Sequence, residues 1–200
     1  EFALLRGVRR AAGGEGPPVK CVWVAPNEAA AALRAADWGA RLPAALGLTV
    51  GVLTGDAGSD LKTLDRCGAV VATPDRFDAL TRRWKARRGV QALTLVIADD
   101  LHTLGAGGAG AASGAGPALE VGLSRMRYMS ATTGRPVRLV GLAACVANAA
   151  DLGEWLGAPP RALFAFPPGA RPVPLAVHIQ GFDIGSMDAR ARAMGRPTYA

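Results

Sequence analysis

Two hydrophobic rhythms alternate along the chain. Short Val- and Ala-rich blocks predict strands at residues 19–25, 48–53, 69–72, 93–98 and 138–142, with later ones at 163–166 and 175–180. Between them run segments whose apolar residues recur at helical spacing. Residues 1–6 read as the middle of an amphipathic helix, and 28–46 as a helix with Leu33, Trp38 and Leu42 at roughly helical spacing. Residues 60–67 predict a short helix with Asp60 near its cap. Thr73 at a cap and Pro74 at the first helical position open another, running to about Lys85. Pro117 opens a helix to Ser130, with Leu119, Leu123 and Met126 together, and a helix over 147–156 stops at Gly157.

Strands alternating with helices predict an α/β fold, a parallel sheet covered on both faces. Its strand-end loops then share one edge: Pro26-Asn27, Thr54-Gly55, Thr73-Pro74-Asp75, Asp99-Asp100 and Ala143-Ala144. The block at 95–102, Leu-Val-Ile-Ala-Asp-Asp-Leu-His, ends in adjacent acids followed by His102. Carboxylates there suit Mg²⁺ beside a nucleotide's phosphates, and equally an ordinary solvated loop. Thr73 and the free N–H groups of a new helix can hold a backbone phosphate, although turn and cap chemistry accounts for them as well. Residues 105–116 are almost pure Gly and Ala and predict a mobile loop.

Charge adds one element. The net charge is +7, and 23 residues are Lys or Arg; Lys20, Lys62 and Lys85 are the only lysines. Arg suits bidentate phosphate contact, while a GC-rich genome writes Arg for Lys just as readily. Arg82, Arg83, Lys85, Arg87 and Arg88 crowd Trp84, either as an RNA- or partner-facing patch or as a solvated helix end around a core tryptophan. Cys21, Cys67 and Cys145 lie far apart in apolar segments, which predicts reduced, buried thiols and no zinc site. No apolar run approaches the roughly 18–20 residues of a membrane span, so no membrane partner is expected. The start carries no signal-peptide pattern, no Met and no cap, and reads as a fragment of a larger protein.

The ordered strand-end motifs resemble the first RecA-like lobe of a superfamily-two DExH-box RNA helicase, of the large tandem-cassette spliceosomal kind and its C-terminal cassette. The pattern also resembles a related tandem-cassette helicase of the activating signal cointegrator type, which would make the cassette catalytically active; a non-enzymatic protein-docking module is the further alternative. The resemblance is carried by 53–56 and 59–62, Ala72-Thr73-Pro74-Asp75-Arg76-Phe77-Asp78, 82–85, 119–121 with Ser124-Arg125-Met126-Arg127-Tyr128, and 171–175 with 178–182. It implies a partial ATP-binding lobe over 1–182 and the start of the connection to a second lobe over 183–200. It implies nucleic-acid contacts at Pro26, Asn27, Thr54, Gly55, Thr73, Pro74, Asp75 and Arg76. It implies catalytic roles for Asp99 (holding Mg²⁺ through water), Asp100 and His102, and a coupling motif at Ala143, Ala144 and Cys145. ATP and Mg²⁺ are the implied cofactors in the full-length cassette. Spliceosomal snRNA, spliceosomal proteins and the partner cassette of the same chain are the implied partners, and the nucleus the implied location.

Three departures from that family pattern matter. No G-x-x-x-x-G-K-[ST] phosphate loop is present, and residues 1–6 resemble the helix that follows one. This chain alone is therefore expected to be inactive. The usual Asp-Glu pair is Asp99-Asp100. One methylene less draws the second carboxylate back by roughly 1–1.5 Å, a displacement that can cost on the order of 10²-fold in rate. The usual Ser-Ala-Thr is Ala143-Ala144-Cys145, which predicts that His102 loses its hydrogen-bonding neighbours. These features predict a cassette that binds nucleotide but hydrolyses it poorly, acting as a regulatory and protein-docking platform for an active twin.

Overall fold

β-Branched and small residues in short blocks build the sheet. The computed structural model describes residues 1–105, 115–144 and 146–199, and its chain divides into two units, Glu1–Leu163 and Phe164–Ala200. In the first unit β1 (Cys21–Val24), β2 (Val50–Val52), β3 (Ala69–Ala72), β4 (Leu95–Ala98) and β5 (Arg138–Gly141) form one parallel sheet in the order β2-β3-β1-β4-β5. The predicted α/β fold, helices on both faces of a parallel sheet, is the one observed.

Side-chain alternation sends each strand into two cores. Val22, Val70 and Val96 face one; Cys21, Trp23, Val71, Leu95 and Ile97 face the other. The second core is covered by α1 (Phe2–Ala12) through Leu4 and by α2 (Glu28–Leu46) through Ala31, Trp38 and Leu42. Trp23 and Trp38 meet edge to face at 5.3 Å, and Arg34 lies 4.4 Å over the Trp23 ring. α2 spans the predicted 28–46, stopped by Gly47 in the left-handed region at φ 63°.

The first core is covered by α3 (Ala57–Arg66), α4 (Pro74–Thr81), α6 (Ala115–Thr133) and α7 (Ala149–Leu156), with α5 (Arg88–Gln91) beside them. α3 begins earlier than predicted, because Asp56 and not Asp60 caps it: its carboxylate accepts the Ser59 N–H at 2.7 Å. α4 ends at Thr81 instead of continuing to Lys85. The Arg87 guanidinium donates to the Leu80 carbonyl, and to that of Ala79 at 3.3 Å, and so closes the helix end. The chain then turns through a 3₁₀ segment at Trp84–Ala86. Trp84 is 8% exposed and belongs to the core, so its cationic neighbours surround a packed ring. α6 takes up Ala115 and Gly116 from the Gly-rich stretch, whose residues 106–114 lie outside the described ones.

α4 and α6 pack closely at Gly122, where a Cβ would meet the Phe77 ring at 2.8 Å. Beside that contact Asp78, buried on α4, is clamped from two sides. Arg125 of α6 donates to its Oδ1 at 2.8 Å and to Thr81 Oγ1 at 2.7 Å; Arg82 pairs with Oδ2 at 2.6 Å. Burial pushes the Asp78 carboxyl up, but the two guanidinium groups outweigh it and hold it below the usual range.

The second unit holds a 3₁₀ turn at Pro168–Ala170 and α8 (Met187–Tyr199), whose Arg190 donates to the Ile184 carbonyl at 2.9 and 2.6 Å. The strands predicted at 163–166 and 175–180 do not form. Phe164, Phe166, Leu175, Val177 and Ile179 are exposed, with no ladder partner among the described residues. Alternation alone does not make a strand, and Pro167, Pro168, Pro172 and Pro174 remove amide donors from this stretch.

Gly122→Ala should lower the chain's stability by about 1–3 kcal/mol in denaturant unfolding, since the buried Phe77 ring has no room to yield. An unchanged midpoint would show that α4 and α6 can separate freely.

Candidate functional site

The parallel pairing brings the strand ends to one level. Val24 lies opposite Ala72 and Ala98, and Ala98 opposite Gly141. Beyond the strands the ladder continues into the loops: Ala25 N–H to the Ala72 carbonyl at 2.8 Å, Asp99 N–H to that of Val24 at 2.9 Å, Leu101 N–H to that of Leu142 at 2.7 Å. The predicted site residues described here therefore all stand along this edge.

Toward β2 and β3, three loops are knitted together. Asn27 caps α2, accepting the Ala30 N–H at 2.9 Å. Asp60, buried on α3, accepts the Thr54 N–H at 2.7 Å, the Thr54 hydroxyl at 3.1 Å and the Gly55 N–H at 3.0 Å. Gly55 adopts φ 97°, a conformation glycine takes without strain. Arg76, on the first turn of α4, donates to the Leu53 carbonyl at 2.7 Å and pairs with Glu28 at 2.7 Å. One guanidinium thus ties the loops after β1, β2 and β3. Thr73 stands at the N-cap of α4 with extended backbone and Pro74 at the first helical position, as predicted, although the Thr73 side chain makes no cap bond.

Toward β4 and β5 lie the acids. Asp99 Oδ1 accepts the Asp100 N–H at 3.1 Å. Burial pushes the Asp99 carboxyl up and the Asp100 charge adds to that, while the Asp100 N–H, Arg34 and His102 oppose it. Asp100 has φ 51°, the one positive value at a non-glycine among the described residues; a short polar side chain tolerates the left-handed region best. His102, in the 3₁₀ segment Leu101–Gly105, is not without a neighbour as predicted. Its Nδ1 accepts the Ala144 N–H at 3.2 Å. The backbone beside the missing hydroxyls supplies the bond. Ala143 is exposed beside it, and Cys145 lies outside the described residues.

Sequence reasoning missed Asp60 as a latch. Its signal was present: Asp60 and Leu64 stand one helical turn apart, so an acid shares the face of a core leucine. It also missed the pairing of Asp78 with Arg125, which no local pattern encodes.

A parallel sheet with helices on both faces and an acid pair at the carboxyl end of a central strand is a RecA-like lobe. Residues 2–152 match the family model of the DEAD/DEAH box helicase. The chain is 46% identical over 201 residues to the DExH-box ATP-dependent RNA helicase DExH12 of Arabidopsis thaliana, covering 100% of this chain and 9% of that protein. It is 39% identical over 199 residues to the U5 small nuclear ribonucleoprotein 200 kDa helicase of Homo sapiens, again 100% and 9%. The crystal structure of the DUF1998 helicase MrfA superposes with a TM-score of 0.56 at 16% identity, covering 75% of this chain and 23% of that one, a likeness of fold. The chain belongs to the DEAD/DEAH box helicase family. It spans 9% of the length of these two curated relatives.

Asp60→Ala should cost about 2 kcal/mol in chemical unfolding, because two backbone N–H groups lose their acceptor; a loss below a few tenths would show that the loop holds itself. For Asp99 the sign runs the other way. A carboxyl raised in the fold contributes stability below its unfolded value, lost as pH rises through the folded value. Asp99→Asn should therefore melt higher than the unaltered chain at pH 7, with the gap closing toward pH 3; a gap that does not change with pH would refute this.

Proposed function

We propose that this chain is the nucleotide-binding lobe of an ATP-dependent RNA helicase acting in pre-mRNA splicing in the nucleus, and that its cassette binds nucleotide but turns it over poorly. The family supports the first part, and so do two relatives described as an ATP-dependent RNA helicase and a U5 ribonucleoprotein helicase. In this reading residues 1–182 form the lobe and 183–200 lead to a second one. Pro26, Asn27, Thr54, Gly55, Thr73, Pro74, Asp75 and Arg76 follow an RNA backbone through positions that carry no base information. The guanidinium of Arg76 is engaged within the protein, so its part is to hold the loops in register for that path.

The half-buried Asp99, whose carboxyl burial pushes up, fits a cation, which would favour its charged form. Among the described residues no group of three or more His, Cys, Asp or Glu side chains comes together. A Mg²⁺ ion near Asp99 would take its other ligands from water and from ATP phosphates, and would supply charge neutralisation there. Asp100 is the residue placed to orient an attacking water, and its short arm in a left-handed backbone carries the reading of weak turnover. His102, held by the Ala144 N–H, ties the acid loop to the end of β5. Spliceosomal snRNA, spliceosomal proteins and an active twin cassette are the partners this reading assigns.

RNA-stimulated ATP turnover by the full-length cassette tests it. With Asp100 in place, turnover should be near background while ATP still binds, and Asp100→Glu should raise it about tenfold or more. Robust turnover with Asp100 would sink the weakened-motor reading. Single-stranded RNA affinity should fall steeply with salt, with log K linear in log salt concentration; salt-independent binding would sink the RNA path.

A further inference from the structure

We propose that Arg125, through its pairing with buried Asp78 and Thr81, is a positioning residue that couples the nucleic-acid edge of this lobe to its nucleotide edge. The inference rests on the functional reading above and deepens it.

The two helices joined by this pair start from the two halves of the edge. α4 begins at Pro74, inside the Thr73–Arg76 loop, and Asp78 lies one turn further on. α6 rests its first turn on the segment that follows the acid pair: a Cβ on Gly116 would meet the Thr103 carbonyl at 2.7 Å, and Thr103 in turn donates its N–H to the Asp100 carbonyl at 2.9 Å. Between the helices, Arg125 is the polar tie across an otherwise apolar seam of Phe77, Gly122 and Met126. It donates to Asp78 Oδ1 at 2.8 Å, to the Asp78 carbonyl at 3.3 Å and to Thr81 Oγ1 at 2.7 Å. Thr81 is fully buried and donates its own hydroxyl proton to the Phe77 carbonyl at 2.9 Å. All three contacts converge on one guanidinium nitrogen, Nη1, so a single charged point ties Asp78 and Thr81 of α4 to α6.

A groove of about 430 Å³ opens over the pair, lined by Asp75 and Arg82 on one side and Pro117, Ala118 and Val121 on the other. The Asp78–Arg125 pair is thus the polar contact point between two helices whose starts are each anchored to a different part of the edge, α4 through Arg76 and α6 through Gly116 on the Thr103 carbonyl. A shift of the loop at Asp75 on binding a phosphate chain would be carried by α4 to that point, by α6 to Gly116, and from there to the carbonyl of Asp100.

The test is the thermodynamic coupling between two ligands in the full-length protein. The Kd for a single-stranded RNA oligonucleotide is measured by fluorescence anisotropy with and without a non-hydrolysable ATP analogue and Mg²⁺. In the unaltered protein the two values should differ by about fivefold or more, within the usual range of allosteric coupling. In Arg125→Met the ratio should fall to near one, while the Kd for RNA alone changes by less than about twofold. Arg125→Lys, which keeps the charge and a single donating nitrogen on a different stem, should retain part of the ratio. Thr81→Val, close in shape, removes one acceptor and should lower the ratio even if Arg125→Met fails to fold. A ratio unchanged in folded Arg125→Met, or in folded Thr81→Val where Arg125→Met does not fold, overturns the inference and leaves the functional reading standing. RNA binding without coupling in the unaltered protein does the same. No RNA or nucleotide binding by the unaltered protein overturns both.

Discussion

Parallel strands hydrogen-bonded in register end at a common level, and this lobe is organised around that fact. β1 is paired on both sides, with Val24 opposite Ala72 and Ala98, so the chain must leave β1, β3 and β4 side by side. Four of the five strands lie with their apolar side chains divided between two cores, which leaves no freedom to slip by one residue without turning valine and tryptophan faces inside out. Loops that are distant in sequence become neighbours because the ladder allows no other arrangement. The continuation of backbone bonds past the strands, as far as Leu101 and Leu142, extends the same constraint into the acid loop.

Polar side chains then do what the ladder cannot. A loop after a strand end has amides facing no partner, and each needs an acceptor when it is partly buried. Asp60 meets that need for Thr54 and Gly55 from an adjoining helix. Arg76 spans the loop after β2 and Glu28 at the start of α2. The edge is thus pre-ordered by charge-assisted bonds, and these loops would lose less entropy on meeting a ligand backbone than loose loops would.

Much of this was legible in the sequence and some was not, for separable physical reasons. The bounds of α2 and β3 match an Ala-rich segment at helical spacing and a short all-apolar block, and the structure adds that Asn27 caps α2 and Gly47 stops it. The α/β class follows from the order of those signals. The extent of α4 does not, because Arg87 closes it from outside the helix, a contact no periodicity announces. The expected strands at 163–166 and 175–180 fail for the converse reason: an alternating pattern is a request for a neighbour, and prolines in the same stretch weaken the answer. Asp60 and Asp78 were hidden because acids on helices read as solvated until the packing shows them buried. The edge residues themselves were legible because topology, not packing detail, puts them where they are.

The acid loop shows how far a motif can change while its geometry persists. Removing the two hydroxyls expected at 143 and 145 would strand His102 if side chains alone held it. The Ala144 amide belongs to the backbone, however, and survives any substitution but proline, so the imidazole keeps an orienting donor at 3.2 Å. Shortening Glu to Asp at position 100 has no such substitute. The backbone there is at φ 51°, with the Asp99 and Leu101 amides on either side bonded to the Val24 and Leu142 carbonyls. In the proposed reading the two departures therefore differ in kind: one alters a side chain whose role the main chain can share, and the other shortens the reach of the residue assigned to the attacking water.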